Sequence, residues 1–244
     1  MMPQIYKLST VLFITACACL TGCRWTSTGQ NTVGVRLFQQ GRYPEAMQQF
    51  RVALNSDPSN PDAYYNLAST YHKLAVANND QALIEQSESL YNQCLDISPN
   101  HVDCHRGLAV LLAETSRKDS AVRLLKNWAS SNPASSDPRV ELGRLYQELG
   151  EQKLAEQYLD EALAINASDY RAWTAKGRMR QANGELSQAL QNFQQSLAIN
   201  GMQPQLMQEV AALNVRIAQN TLTPGQPAGG WTVQNQPAGS VRRY

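Results

Sequence analysis

The chain has 244 residues, of which 43% are hydrophobic and 17% charged, and its 21 basic and 20 acidic side chains leave a formal net charge of +1. This balance excludes the strongly basic surface that nucleic-acid-binding proteins use, so we expect no nucleic acid among the partners. The length alone allows one large domain or two small ones.

The first 22 residues have the three parts of a secretory signal. Lys7 is the only charged residue of the segment, an apolar run follows from Leu8 to Leu20, and small residues stand before Cys23. The apolar run is shorter than the roughly 20 residues that a membrane-spanning helix needs. We therefore predict that residues 1–22 are a cleaved signal peptide.

The segment Leu20-Thr21-Gly22-Cys23 resembles the lipobox of bacterial lipoproteins. The resemblance implies that Cys23 is lipidated and becomes the first residue, followed by a lipid-anchored linker over residues 23–30. A second segment, Ile14-Thr15-Ala16-Cys17, also fits the pattern but leaves a shorter apolar core. In that family, aspartate after the cysteine favours the inner membrane. Arg24 stands there, so the resemblance implies the outer membrane, facing the periplasm.

Small and large apolar side chains then recur at a shift of about 34 residues, which is the tetratricopeptide period. Gly34, Ala68, Ala109, Gly143 and Gly177 are the small residues at one repeated position. The repeats resemble the tetratricopeptide family, and we place them at 27–60, 61–101, 102–135, 136–169 and 170–203. The second repeat is longer than the others, and we expect the surplus near residues 75–80, between its two helices.

This resemblance implies an all-α, right-handed solenoid over residues 31–220, with five helix pairs that each bury an apolar stripe against the next pair. Residues 204–220 have apolar side chains at helical spacing and predict a capping helix. Lys176 and Arg180 stand where the family has leucine and tyrosine, so we expect the fifth repeat to pack loosely or to extend these side chains towards water. Residues 221–244 are rich in proline, glycine and glutamine, which predicts a disordered tail.

Cysteine and histidine are close together in one segment, at Cys94, His101, Cys104 and His105. Their spacing matches no usual metal-ligand pattern, and the chain has no familiar catalytic motif, so we expect neither a catalytic site nor a cofactor. In an oxidising envelope Cys94 and Cys104 are candidates for a disulfide between two repeats; two reduced, buried cysteines are the alternative. A metal or redox protein that uses this cluster is the alternative function from a different class.

In tetratricopeptide proteins, side chains at fixed positions of the first helices line a concave groove that binds partners. By this resemblance the candidate partner-binding residues are Tyr65, Ser69, His72, Lys73, Arg106, Arg144, Arg171 and Arg178. The last three make one end of the groove basic, which favours an acidic or carboxylate-bearing peptide. An ordinary solvated face is the alternative. The family's carboxylate clamp for chaperone tails is matched only at Asn66, so that ligand is not expected.

The sequence as a whole predicts a non-catalytic, lipid-anchored scaffold or adaptor that binds a protein or peptide partner at the bacterial envelope. Tetratricopeptide lipoproteins that pilot type IV pilus secretins share this combination of features. A pilot role in pilus or secretin assembly is therefore a narrower alternative that rests on analogy of fold.

Overall fold

The computed structural model describes residues 27–222, with side chains described from residue 27 to residue 220. The predicted signal peptide, the lipidation site at Cys23 and almost all of the predicted tail lie outside this part of the chain. Every regular element within it is a helix. The helices are α1 (27–39), α2 (Tyr43–Ser56), α3 (Pro61–Asn78), α4 (Gln81–Ile97), α5 (Val102–Glu114), α6 (Lys118–Ser131), α7 (Asp137–Glu148), α8 (Gln152–Ile165), α9 (Tyr170–Ala182), α10 (Leu186–Ile199) and α11 (Pro204–Leu222).

The turn inside each helix pair contains one residue in the left-handed region of the backbone. Three pairs use glycine, at Gly41, Gly150 and Gly184, with φ of 75°, 82° and 80°. The other two pairs use Asn79 and Ser116, with φ of 52° and 63°. Glycine adopts this conformation at no steric cost, and the tight turn folds the second helix of each pair back against the first.

The two helices of a pair approach closely where one of them carries a small residue. A Cβ atom built on Gly143 would lie 2.7 Å from the Leu159 side chain, and one built on Gly177 would lie 2.4 Å from the Phe193 ring. Leu159 and Phe193 are fully buried. The repeated small residues are therefore sites of close helix packing, as the periodicity predicts.

The five helix pairs and the additional C-terminal helix confirm the predicted fold class. Leu206 and Leu213 of α11 are buried in one apolar cluster with Ala189 and Phe193 of α10, so α11 covers the stripe that the fifth pair leaves open. Within the described range, no helix is long and apolar enough to cross a membrane.

The predicted linker over 23–30 is wrong for its second half, because residues 27–30 belong to α1. Ser27 is fully buried, and its hydroxyl donates a hydrogen bond to the carbonyl oxygen of Ala53, 3.0 Å away. The solenoid therefore includes residues 27–30 as well as the predicted 31–220.

The surplus of the second repeat is helical and does not form a connecting segment. Residues 75–78 extend α3, which has 18 residues, while α4 has 17. The Asp80 side chain accepts hydrogen bonds from the backbone N–H groups of Ala82 and Leu83 and so caps the start of α4. The second pair is thus the longest of the described solenoid.

Lys176 and Arg180 reach carboxylates at the edge of the fifth repeat. Lys176 pairs with Asp160, and Arg180 pairs with Glu156 and Glu185. The two cationic side chains are only 18% and 22% exposed, so their aliphatic stems fill the space that leucine and tyrosine take in the family. The side chains are extended as expected, but their charged ends reach carboxylates of the chain and not open water.

Candidate functional site

The first helices of successive repeats form a continuous inner layer, since α3 contacts α5, α5 contacts α7 and α7 contacts α9. The second helices, such as α6 and α8, lie outside it and pack against the first helices. This layering places the predicted partner-binding residues on one face of the solenoid.

Polar side chains link successive helices of this inner layer, and His101 takes part as the cap of α5. The links are Asn66 to Asn31 (3.0 Å), His101 to Asp62 (3.0 Å), His72 to Glu114 (2.9 Å), Arg106 to Glu141 (2.7 Å), Arg171 to Asp137, and Arg178 to Glu209 (2.8 Å). The last link joins the fifth repeat to the capping helix. Much of the charge predicted for the groove is therefore compensated inside the chain.

The predicted residues at the N-terminal end of the groove have mixed surroundings. The Tyr65 ring lies 5.9 Å from the His101 ring and 6.3 Å from the Tyr91 ring, between centroids. Burial raises the pKa of Tyr65, with a further contribution from Asp103. Ser69 is half-buried, and Lys73 is exposed to solvent. The aromatic side chains at this end belong to the packing between the second and third repeats.

Arg106 and Glu141 form a buried ion pair between α5 and α7. Arg106 donates through Nε and Nη2 to the two carboxylate oxygens of Glu141, at 2.9 and 2.7 Å, and through Nη1 to Asp103 at 2.8 Å. The Glu141 side chain is 2% exposed. Burial alone would raise the pKa of Glu141, but the charges of Arg144 and Arg106 lower it more. The pKa of this carboxyl therefore lies below its ordinary value.

Arg171 belongs to a second network, between α7 and α9. It pairs with Asp137 and Asp169, and the Ser136 hydroxyl donates to Asp169 at 2.7 Å. Asp169 also caps α9, because its side chain accepts from the backbone N–H groups of Arg171 and Ala172. Arg171 therefore holds the fourth and fifth repeats together.

Arg144 lies in a pocket of about 390 Å³ between α5, α7 and α9. The pocket is lined by Arg106, Ala109, Val110, Leu125, Glu141, Arg144, Leu145, Gln147, Glu148, Ala175 and Arg178. Arg144 is 26% exposed, and its Nη1 is 3.9 Å from Oε1 of Glu141. Burial lowers the pKa of Arg144, Glu141 raises it, and Arg106, Arg178 and Arg171 lower it further, so the pKa lies below its ordinary value. The pocket thus combines three arginines and two glutamates with apolar walls.

The cysteine and histidine cluster links α4 to α5. Cys94 and Cys104 form a disulfide with Cα atoms 6.5 Å apart, and both residues are fully buried. A ring nitrogen of His101 lies within 4.8 Å of the two sulfur atoms. However, His101 Nδ1 accepts from the Cys104 backbone N–H at 3.2 Å, and Nε2 contacts Asp62. The histidine is engaged as a helix cap, and sulfur atoms in a disulfide are not thiolate ligands.

His105 lies apart from the two sulfur atoms and packs on the third repeat. Its ring stacks on Trp128 with centroids 4.0 Å apart, and its Nε2 donates to the Pro99 carbonyl oxygen at 2.9 Å. Nδ1 is buried without a hydrogen-bond partner among the described residues, and burial lowers the pKa of this imidazole. The predicted four-residue cluster is therefore divided between a disulfide with its helix cap and a stacked histidine.

Comparison with protein families decides what the repeats are. A model of the TPR repeat matches residues 34–74, and a model of the tetratricopeptide repeat matches residues 61–101 and 137–169. Residues 34–101 and 137–169 therefore match tetratricopeptide repeats. The last two ranges agree within one residue with the second and fourth repeats placed from the sequence, 61–101 and 136–169.

Two solved structures share the fold, and the first is described as a thermophilic TPR protein. TTC0263 from Thermus thermophilus is 24% identical, with 78% of this chain and 99% of that chain covered and a TM-score of 0.58. The pilF protein of Pseudomonas aeruginosa is 17% identical, with 84% of this chain and 95% of that chain covered and a TM-score of 0.50. At these identities the likeness concerns the fold alone.

Among curated proteins, the mouse PEX5-related protein is 30% identical over 41% of this chain, and the fission yeast anaphase-promoting complex subunit 3 is 23% identical over 68% of it. The matches span only 16% and 25% of those two proteins. The likeness concerns this part of the two proteins, and it does not transfer the activity or the partners of the whole proteins.

Glu141 is the residue of the site that sequence reasoning missed. It stands on the inner layer, 35 residues after Arg106 and therefore about one tetratricopeptide period later. An acidic residue one period after a basic one on a first helix is the signal that would have indicated the pair. Asp137 and Arg171 are also one period apart, but there the acidic residue precedes the basic one by 34 residues.

Proposed function

We propose that this chain is a non-catalytic scaffold or adaptor that binds a protein or peptide partner on the concave face of its solenoid. The observation that carries the proposal is the Arg144 pocket, which opens on the inner layer and brings cationic and apolar side chains together. Its volume is within the range of small-ligand sites and suits one or two side chains of a partner. The proposal includes neither a cofactor nor a nucleic acid.

The non-catalytic part of the proposal is supported by how the polar side chains of the groove are used. The carboxylates of Glu141, Asp137 and Asp169 bind arginines of the same chain. Catalysis needs titratable groups that converge on a substrate atom, whereas these groups join one repeat to the next. Their arrangement suits a rigid binding surface.

We also propose that the scaffold is anchored to the outer membrane of a bacterial envelope through lipid on Cys23, facing the periplasm. The lipobox resemblance supports this anchor, and the start of the fold sharpens its consequence. Because α1 includes Ser27, only residues 24–26 separate Cys23 from the solenoid. Three residues span at most about 10 Å, so the anchor would hold the first repeat against the membrane surface.

Labelling with radioactive palmitate tests the anchor in cells that express the full chain. We expect label on the wild type and on Cys17→Ser, and none on Cys23→Ser. The Cys17→Ser variant is the matched control, because it removes the competing lipobox and keeps the proposed one. Label that persists on Cys23→Ser and disappears from Cys17→Ser would move the anchor to the other cysteine.

A pilot role in pilus or secretin assembly is a narrower form of the same proposal. The pilF protein shares the fold over most of this chain, which is compatible with that role and does not select it. The identity of the bound partner distinguishes the general scaffold from the pilot. A secretin bound to the concave face would support the pilot role, and a different envelope protein there would leave the scaffold and remove the pilot role.

Site-specific photo-crosslinking tests the binding face. One variant of the full chain carries a photoreactive residue in place of Gln147, which lines the pocket. A second variant carries it in place of Lys153, which is exposed on the outer helix α8. Both are crosslinked in intact cells. We expect a discrete crosslinked product from position 147 that is missing from position 153. A product from position 153 alone would refute binding on the concave face.

A further inference from the structure

Three arginines meet at the pocket of the inner layer, and they differ in how their guanidinium groups are satisfied. Arg106 donates to both oxygens of Glu141 and to Asp103. Arg178 donates to both oxygens of Glu209, at 3.3 and 2.8 Å. Arg144 makes no hydrogen bond to any residue from 27 to 220. Its nearest carboxylate oxygen there, 3.9 Å away on Glu141, is already bound by Arg106.

The unsatisfied arginine is largely buried. Only 26% of the Arg144 side chain is exposed, although a guanidinium carries five N–H donors. The Arg144 nitrogen atoms that lack a partner among residues 27–220 keep contact with solvent, where a ligand can reach them. Burial and the nearby arginines lower the pKa of Arg144, and Glu141 opposes them. A bound anion would satisfy the donors and compensate the charge.

The lining of the pocket indicates which anion fits. Three arginines and two glutamates line the pocket, which leaves one formal positive charge; a singly charged carboxylate compensates this charge, whereas a doubly charged phosphate exceeds it. A carboxylate also matches the planar, bidentate geometry of a guanidinium. Val110 and Leu145 are 8% and 3% exposed and provide an apolar surface beside Arg144.

The position of the pocket indicates how a peptide would present its carboxylate. The inner layer continues on both sides, towards α3 in one direction and towards α9 and α11 in the other. A peptide that follows this layer passes the pocket instead of ending there, and it would place a side chain in it. This geometry favours a carboxylate within the peptide over its C-terminal carboxylate.

We propose that the Arg144 guanidinium binds the carboxylate of an aspartate or glutamate side chain in a partner peptide, with a neighbouring apolar residue of that peptide packed on Val110 and Leu145. This inference rests on the proposed function, because it specifies the chemistry that the concave face selects. Arg106 and Arg178 shape the pocket while their own donors are satisfied within the chain.

Peptide selection on the full chain tests the proposal. A random peptide library without free C-termini is selected in parallel on wild type and on Arg144→Gln, and selected peptides are synthesised with amidated C-termini. Affinities are then measured for wild type, Arg144→Gln, Arg144→Lys and Arg123→Gln. Arg123 is an exposed arginine of α6, so its variant is the matched control for the loss of one positive charge. Circular dichroism checks that each variant is folded.

We expect peptides selected on the wild type to be enriched in aspartate or glutamate next to an apolar residue. Loss of a hydrogen-bonded charge pair predicts at least about a tenfold weaker affinity for Arg144→Gln. Replacing the peptide's acid with its amide should weaken binding to the same extent, Arg144→Lys should recover part of the affinity, and Arg123→Gln should match the wild type.

The two proposals fail in distinguishable ways. Peptides that bind the wild type without acid enrichment, or that bind Arg144→Gln equally well, would overturn the role of Arg144 and leave peptide binding intact. Affinity that appears only when the peptide has a free C-terminal carboxylate would overturn the choice of a side-chain acid. A wild type that selects no peptide would count against peptide binding itself, and with it against this inference.

Discussion

The junction between α4 and α5 and the junction between α5 and α7 join neighbouring repeats by different chemistry. At the first, the Cys94–Cys104 disulfide is a covalent link between the second and third repeats. At the second, Arg106 donates two hydrogen bonds to Glu141. Each junction also buries apolar surface of the kind that the repeat period specifies. The comparison shows that the period determines packing, whereas each polar link is particular to its junction.

The largest effect is expected at the ionic junction. Glu141→Gln leaves Arg106 without its buried carboxylate, and breaking such a pair costs about 3 kcal/mol of unfolding free energy. Urea unfolding at neutral pH measures the loss. Glu85→Gln is the control, because Glu85 is exposed on α4 and its carboxylate accepts a hydrogen bond from Gln81 alone within residues 27–220. Equal losses in the two variants would contradict a special role for the buried pair.

The same variant should change the response to acid. The pKa of Glu141 is held below its ordinary value of 4.5, so its ion pair contributes stability above that pH and loses it as the pH falls through the lowered pKa. Unfolding curves between neutral and strongly acidic pH should therefore show a smaller acid-dependent loss for Glu141→Gln than for the wild type. Identical pH profiles would exclude Glu141 from the acid response.

A smaller effect is expected at the covalent junction. The disulfide closes a loop with a sequence separation of 10 residues, for which loop entropy predicts about 2.5 kcal/mol of stabilisation. The double variant Cys94→Ala, Cys104→Ala should lose this amount relative to the oxidised wild type. Adding a reducing agent should lower the unfolding free energy of the wild type, because it breaks the disulfide. The unfolding free energy of the double variant should not change. A double variant that still responds to the reducing agent would place the relevant disulfide elsewhere.

The close packing between the two helices of one pair should be the feature next most sensitive to mutation. Gly177→Ala would place a methyl group 2.4 Å from the buried Phe193 ring, and such overpacking costs about 2 kcal/mol. Thermal unfolding should show the loss. Gly29→Ala is the control, since a Cβ there meets no atom within 4 Å. A stabilised Gly177→Ala would show that the ring moves aside freely.

The fold could be predicted because its determinants are local and periodic. Gly143 and Gly177 recur at the repeat period, and Leu206 and Leu213 have helical spacing. The helical surplus of the second repeat was not foreseen, although residues 75–78 contain no glycine or proline that would end α3. The linker was predicted too long because the burial of Ser27 depends on a contact with Ala53, which no local pattern reveals.

The site was less predictable than the fold. The groove positions followed from the family, but the pattern gave Arg144, Arg171 and Arg178 equal weight as basic residues. Their difference depends on which carboxylate each guanidinium reaches across a repeat junction, and therefore on the relative placement of two helices. Arg171 reaches Asp137 and Asp169, whereas Arg144 finds Glu141 already bound by Arg106.

The most direct test of this account compares Arg106→Gln with Arg144→Gln in one urea-unfolding experiment on the full chain. Both arginines line the same pocket, and the account assigns Arg106 to the fold and Arg144 to the ligand. Arg106→Gln should lose about 3 kcal/mol, because Glu141 loses its partner. Arg144→Gln should lose clearly less than Arg106→Gln, because it removes the 3.9 Å contact with Glu141 but no hydrogen bond to the described residues. Equal losses, or a larger loss for Arg144→Gln, would contradict the division between the two arginines.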